Sequence, residues 1–431
     1  MTKVVLAPVN AGERIDILDV LRGFALLGVF VANALWYFSG FSELSEQDAL
    51  RLPVNPLDPA VFELERFFVS GKFITIFSFL FGMGFALQMR RAAEAGAPVK
   101  RLYLRRMAWL LAFGIAHALL AFYGDVLHLY ALLGLLLIGC VARSGKALVG
   151  WGLVFAVVLP VAVRALQWAL PALTEGAIDP EAMTEARRGV AIAQHAAFEG
   201  SSYTGMIRAN AIDFWSRIST DVVLAAALAT FGKFLLGVWA GRTGLLVRAS
   251  LANAGSDDAS LKCMRRGAGW GLVIGVACEG IVVADGTFPA LGTDTWGATI
   301  ADTLLWHAGV LALATSYVCA IVLLFTRPDW NRTLSFLAPV GRMALTNYLG
   351  QSIACIFVFY GVGLGWYGRV GPTAVVGIAV VVFAAQAVAS TWWLRRFQFG
   401  PAEWAWRSLT YGRRQPFRRH APAWETEGNG R

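Results

Sequence analysis

The run LLWHAGVLALATSYVCAIVLLF, from Leu304 to Phe325, holds 22 residues without one acidic or basic Asp, Glu, Lys or Arg. As a helix it is about 33 Å long, enough to cross the roughly 30 Å hydrocarbon layer of a bilayer. Ten predominantly apolar stretches of about 17 or more residues follow one another along the chain, at about 19–39, 67–89, 103–122, 125–142, 147–170, 220–241, 267–285, 299–326, 335–361 and 371–394. None alternates with the period of a barrel strand, and backbone polar groups in lipid need partners within their own segment, so the spans read as helices. The expected fold is all-α: a polytopic transmembrane bundle of about ten spans forming a single integral membrane domain over residues 1–431.

Composition agrees with a lipid solvent. Hydrophobic residues make up 57% of the chain and charged residues 15%, against about 25% charged in soluble domains. The first apolar run follows a mixed-charge segment (Arg14, Asp16, Asp19, Arg22) and lacks a small-residue cleavage site, so it reads as a retained helix rather than a signal peptide. The net charge of +9 sits in helix-flanking clusters, with no soluble domain to present a nucleic-acid face. Five cysteines without a CxxC pair imply neither a disulfide framework nor a zinc site, and they read as small apolar filler. No feature indicates a metal or redox cofactor.

The basic residues alternate from gap to gap. Every second gap, together with both tails, holds 27 of the 37 Lys and Arg, and the first gap of the other set is acidic with Glu43, Glu46 and Asp48. Positive residues stay inside, so both termini are expected in the cytoplasm. Residues 171–218 then form an extracytoplasmic excursion, either a helical surface element or a lid over an acceptor site. Residues 395–431 form a cytoplasmic tail whose Trp404, Trp406 and Arg407 suit the headgroup level. Gly71-Lys72-Phe73 and Gly232-Lys233-Phe234 match, but three residues recur by chance in a chain of this length.

Several polar residues interrupt the apolar runs. Arg22 and Asn33 lie eleven positions apart, within about 20° of three whole turns, so they share one helix face. Arg22 also suits an interfacial anchor neutralised by Asp19, and Asn33 an interhelical hydrogen bond. His117 is costly inside an apolar helix and is suited to proton transfer near neutral pH; its structural alternative is a neutral imidazole bonded to a neighbouring helix. Asp125 opens the next span and reads as a helix cap. His307, beside Trp306, suits the interface. Asn33, His117 and His307 fall in the outer half by depth, where one outward-opening polar chamber would unite them. The ninth span adds Asn347 and Gln351, one turn apart, in the block Gly341 to Ser352. Gly82 and Gly84 read as sites of close helix approach.

These blocks together resemble the YeiB-like family of bacterial membrane proteins, whose shared region is catalogued as domain of unknown function 418. The matching features are Leu18 to Gly23 with Asn33, Gly71-Lys72-Phe73 through Gln88, His117 with Tyr123-Gly124-Asp125 and Tyr130 to Gly134, Gly341 to Ser352, and Gly400-Pro401-Ala402-Glu403-Trp404. The family is similar to integral-membrane acyltransferases, including those that O-acylate surface polysaccharides and the lysosomal heparan-alpha-glucosaminide N-acetyltransferase. In the polysaccharide enzymes an Arg is followed eleven positions later by a catalytic His, where this chain has Arg22 and Asn33. The lysosomal enzyme resembles it in having Asn there, with a His in the next outer loop; residues 39–66 here contain none.

The resemblance implies an acyltransferase of the bacterial cytoplasmic membrane that moves an acyl group from cytoplasmic acyl-CoA, as co-substrate, to a small-molecule or glycan acceptor outside. His117 would be the general base and Asn33 would hold the acceptor or the thioester oxygen. Arg22, Asn347, Gln351 and His307 would line the substrate path. Arg90, Arg91, Arg105, Arg106 and Arg342, with Arg22, would form a cationic mouth for the phosphates of CoA. The same polar residues equally suit a secondary transporter or exporter, and a non-catalytic membrane partner stays open, as does a homodimer.

Overall fold

A computed structural model describes residues 16–41, 55–94, 96, 99–173, 180–218, 221–287 and 296–418. Their secondary structure is helical, apart from an isolated bridge between Phe397 and Arg418. The first half comprises α1 (Asp16–Asn33), continued by a π turn over Ala34–Phe38, then α2 (Asp58–Phe68), α3 (Lys72–Glu94), α4 (Val99–Leu120), α5 (Leu127–Leu136), α6 (Gly145–Leu153) and α7 (Leu159–Leu173). There follow α8 (Pro180–Glu199), α9 (Tyr203–Ile218), α10 (Asp221–Thr243), α11 (Leu245–Leu251), α12 (Ala259–Thr287) and α13 (Trp296–Phe325). The last are α14 (Pro328–Leu334), α15 (Ala338–Arg342), α16 (Ala344–Phe359), α17 (Pro372–Arg396) and α18 (Pro401–Tyr411).

Among the described residues, seven helical stretches are long and apolar enough to cross a membrane, including Asp58–Glu94, Ala259–Ala284 and Thr299–Phe325. The chain is a multi-pass membrane protein with an all-α bundle. The other three expected spans are also helices: Leu127–Cys140 and Ala344–Phe359 are shorter, and α4 carries the basic run from Lys100 to Arg106. Residues 1–15 and 419–431, at the two ends, lie outside the described residues.

Close crossings knit the bundle. A Cβ added to Gly341 on α15 would strike the Asp19 carbonyl of α1, and one on Gly82 of α3 would strike the Phe234 carbonyl of α10. Small residues admit such contact where lipid offers no hydrophobic driving force between helices. Gly84, expected to do the same, faces open space. Helices α8 and α9 pack beside the C-terminal end of α4. Phe198 stacks between Tyr123 and Tyr360, and Tyr203 donates to the Leu120 carbonyl at 2.8 Å. That end is where α4 delivers His117.

Candidate functional site

α4 ends three residues after His117, and the chain turns through Phe122 and Tyr123 to Asp125. The turn folds Asp125 back beside His117: Asp125 Oδ1 lies 2.8 Å from His117 Nδ1. Its other oxygen, Oδ2, accepts the amide of His128 at 3.1 Å, capping the first turn of α5, and meets His128 Nδ1 at the same distance. The expected capping role is therefore present, but it uses one carboxylate oxygen and leaves the second for the imidazole.

α16 closes the site from the other side. Tyr348 donates to Asp125 Oδ1 at 3.3 Å, and Ser352, one turn on, has its hydroxyl 3.0 Å from His117 Nε2. An ionised carboxylate only accepts, so a neutral imidazole here carries its proton on Nδ1 and leaves the Nε2 lone pair for the serine hydroxyl. Asp125, His117 and Ser352 thus stand in a chain of carboxylate, imidazole and hydroxyl, exposed by 4%, 6% and 2%. Such a chain can take a proton from the hydroxyl and stabilise the resulting imidazolium.

The adjacent face of α16 carries Asn347 and Gln351, and these bind α17. Asn347 donates to Ser390 at 3.0 Å and to the Val340 carbonyl at 3.2 Å, while Gln351 donates to Gln386 at 3.0 Å. Both hold α16 in place and neither touches His117.

Asn33 lines a separate cleft of about 560 Å³ with Trp36, Tyr37, Arg66, Glu279 and Trp306. Its amide makes no hydrogen bond among the described residues. Gly124 and Val126, the neighbours of Asp125, form part of the same wall. A layer of rings separates Asn33's cleft from His117: Tyr37 packs on Phe122 at 5.4 Å, and Phe122 on His117 at 6.0 Å. The two residues flank one wall rather than share one chamber. His307 packs on cleft-lining Trp306 at 4.8 Å and lies within electrostatic reach of Lys233.

Sequence reading passed over a buried ion pair beside this cleft. Lys72 on α3 meets Glu279 on α12 at 2.9 Å, with side chains exposed by 0% and 2%. Glu65, also buried, accepts from Trp36 at 2.8 Å and Ser70 at 2.9 Å. Opposite charges inside otherwise apolar runs were the available signal.

At the opposite end, Arg22 pairs with Asp19 at 2.6 Å and Arg90 lies 3.6 Å from Glu94. Arg91 and Arg342 are half-buried there. The tail helix α18 engages the next two arginines: Arg105 donates to the Leu409 carbonyl at 3.0 Å, and the Arg106 guanidinium lies 4.3 Å over Trp406. Glu403 anchors α18 by accepting from the Leu345 and Thr346 amides at 2.7 and 3.1 Å. Burial pushes its carboxyl above the ordinary range despite these donors. Among the described residues, no three His, Cys, Asp or Glu side chains gather as a metal site.

A bundle of apolar helices with buried charge and a polar centre defines a multi-pass membrane protein with a built interior site. Residues 246–413 match the family model described as "Protein of unknown function (DUF418)". The chain is 33% identical over 426 residues to "Uncharacterized protein YxaH" of Bacillus subtilis, covering 95% of this chain and 98% of that protein. It is 27% identical to "Uncharacterized protein YeiB" of Escherichia coli, covering 92% and 96%. The chain belongs to the YeiB-like, DUF418 family.

Proposed function

We propose that this protein is an acyltransferase of the bacterial cytoplasmic membrane, with both termini cytoplasmic, that passes an acyl group from acyl-CoA to an extracytoplasmic acceptor. The observation that carries the reading is the His117 imidazole, fixed by Asp125 on Nδ1 and presenting Nε2 to a hydroxyl inside the bundle. General-base catalysis needs that tautomer and that dry setting. Arg22, Arg90, Arg91 and Arg342 would meet the phosphates of CoA. Arg106 stands eleven residues before His117 on one helix, about 16 Å away by helical rise, the distance the thioester arm has to span. The cleft bordered by Gly124 and Val126 would admit the acceptor, with Asn33 on its wall, and the Tyr37–Phe122 ring layer would have to part for it to reach His117.

Purified protein given radiolabelled acetyl-CoA and a membrane extract should load label onto an acceptor. His117→Ala and Asp125→Asn should each lower transfer on the order of 10⁴-fold. Undiminished transfer by both variants would remove the site from the reaction. One observation favours a second reading, a secondary transporter: the Lys72–Glu279 pair beside an open cleft is the kind of intramembrane charge that marks ion and substrate paths. Uptake or export driven by a gradient and indifferent to acyl-CoA would select it.

A further inference from the structure

We propose that Ser352 carries the acyl group covalently, so that transfer proceeds in two displacements rather than one. The proposal rests on the acyl-transfer reading for its donor, but the nucleophile itself is read from the geometry.

Hydroxyls in apolar helices usually satisfy themselves by bonding the carbonyl one turn back. This chain follows the habit at Ser39, Thr75, Ser78, Thr315 and Thr391, each of which donates to the carbonyl four residues earlier at 2.6 to 2.8 Å. Ser352 departs from it. Among the described residues its hydroxyl meets His117 Nε2 alone, at 3.0 Å. Asp125 fixes the proton on Nδ1, so the serine O–H points its hydrogen at the imidazole lone pair, the arrangement that raises a hydroxyl's nucleophilicity. Four turns of α16 place it. Tyr348 holds the same face to Asp125, and Asn347 and Gln351 hold the adjacent face to α17.

The chemistry balances with an acyl thioester as donor. Ser352 Oγ attacks the thioester carbonyl as His117 Nε2 takes the hydroxyl proton. The C–S bond then breaks, and the imidazolium returns the proton to sulfur, releasing the CoA thiol and leaving an acyl ester on Ser352. In the second half the acceptor's hydroxyl or amine attacks that ester. His117 takes the acceptor's proton and delivers it to Ser352 Oγ as the C–O bond breaks. Asp125 stabilises the imidazolium in both halves. Burial of all three side chains keeps water from the ester between the halves. A carrier at this depth also separates donor and acceptor in time, so the two need not occupy the bundle together.

The test uses the full chain in detergent with radiolabelled acetyl-CoA and no acceptor, quenched in acid and digested for mass spectrometry. Wild type should gain one acetyl group on the peptide containing Ser352. Ser352→Ala and His117→Ala should abolish it, and Ser352→Cys should form a hydroxylamine-labile thioester in its place, which a merely structural serine would not do. Transfer to acceptor by Ser352→Ala at the wild-type rate, with no ester found on Ser352 of the wild type, overturns the proposal while leaving acyl transfer intact. If wild type does not react with acetyl-CoA at all, the donor assignment fails, and diisopropyl fluorophosphate then tests the serine. Labelling of Ser352 that His117→Ala abolishes sustains an activated nucleophile; a chain left unlabelled at Ser352 overturns it.

Discussion

Replacing Lys72 and Glu279 singly and together gives a sharp reading of the bundle's interior. At 2.9 Å the pair attracts by about 6 kcal/mol at an effective dielectric of about 20. Removing water from two ions costs several kcal/mol each, so the intact pair contributes little net stability. Breaking it is another matter. Lys72→Met strands the Glu279 carboxylate at 2% exposure, and its Oε1 already lacks a hydrogen-bond partner among the described residues. Glu279→Leu strands an ammonium that is fully enclosed. Each single variant should lose about 3–5 kcal/mol, whereas the double variant should stay within about 2 kcal/mol of wild type. Part of that remainder is the bond from Lys72 to the Arg66 carbonyl at 2.9 Å, about 1 kcal/mol. Unfolding of the four proteins by SDS in mixed micelles, followed by circular dichroism, measures all terms in one cycle. A double variant as unstable as the two singles summed would refute the reasoning. The same double variant also separates the two functional readings: if His117 does the chemistry, transfer at saturating acceptor should survive even where loss of Glu279 from the cleft wall weakens acceptor binding, whereas transport should be lost if the charges form the path.

Gly341→Ala should lose about 1–3 kcal/mol, because its methyl meets the Asp19 carbonyl, while Gly84→Ala in open space should be neutral or slightly stabilising by the same unfolding measurement. Docking of α18 should depend on pH through Glu403. Its docked carboxyl titrates above the ordinary value of 4.5, so the docked state holds more proton than the free one within that window. Docking is therefore tightest at the acid end and weakens as pH rises through the raised value. Hydrogen exchange across residues 401–411, corrected for intrinsic rates, should show less protection at pH 8 than at pH 5; equal protection would contradict this.

The span pattern was legible because burial in lipid demands long uncharged runs, and α13 announces itself from composition alone. His117 was legible for the complementary reason: an imidazole has no cause to sit in such a run unless something holds it. What held it was not. Asp125 is eight residues away in sequence and looks like a cap, which it is, yet a carboxylate has two oxygens and a linear pattern assigns only one use. Ser352 comes from a helix 235 positions on, and in its block Asn347 and Gln351 stood out for lying one turn apart. Their cost is met by α17. The face of α16 one residue round the helix, Tyr348 and Ser352, meets the histidine. Asn33 lies behind a ring layer from His117, since helical phase gives a direction along one helix and says nothing of aromatic packing between helices.

The clasp between Glu403 and the first amides of α16 has a consequence for biosynthesis. Helix α16 emerges from the ribosome well before α18, so Leu345 and Thr346 have to await a partner that is made 57 to 58 residues later. Until then the start of α16 lacks this anchor, while Asn347 and Gln351 already hold the helix to α17. The last constraint on the start of α16 thus arrives with α18, after the helices that surround His117 have been made.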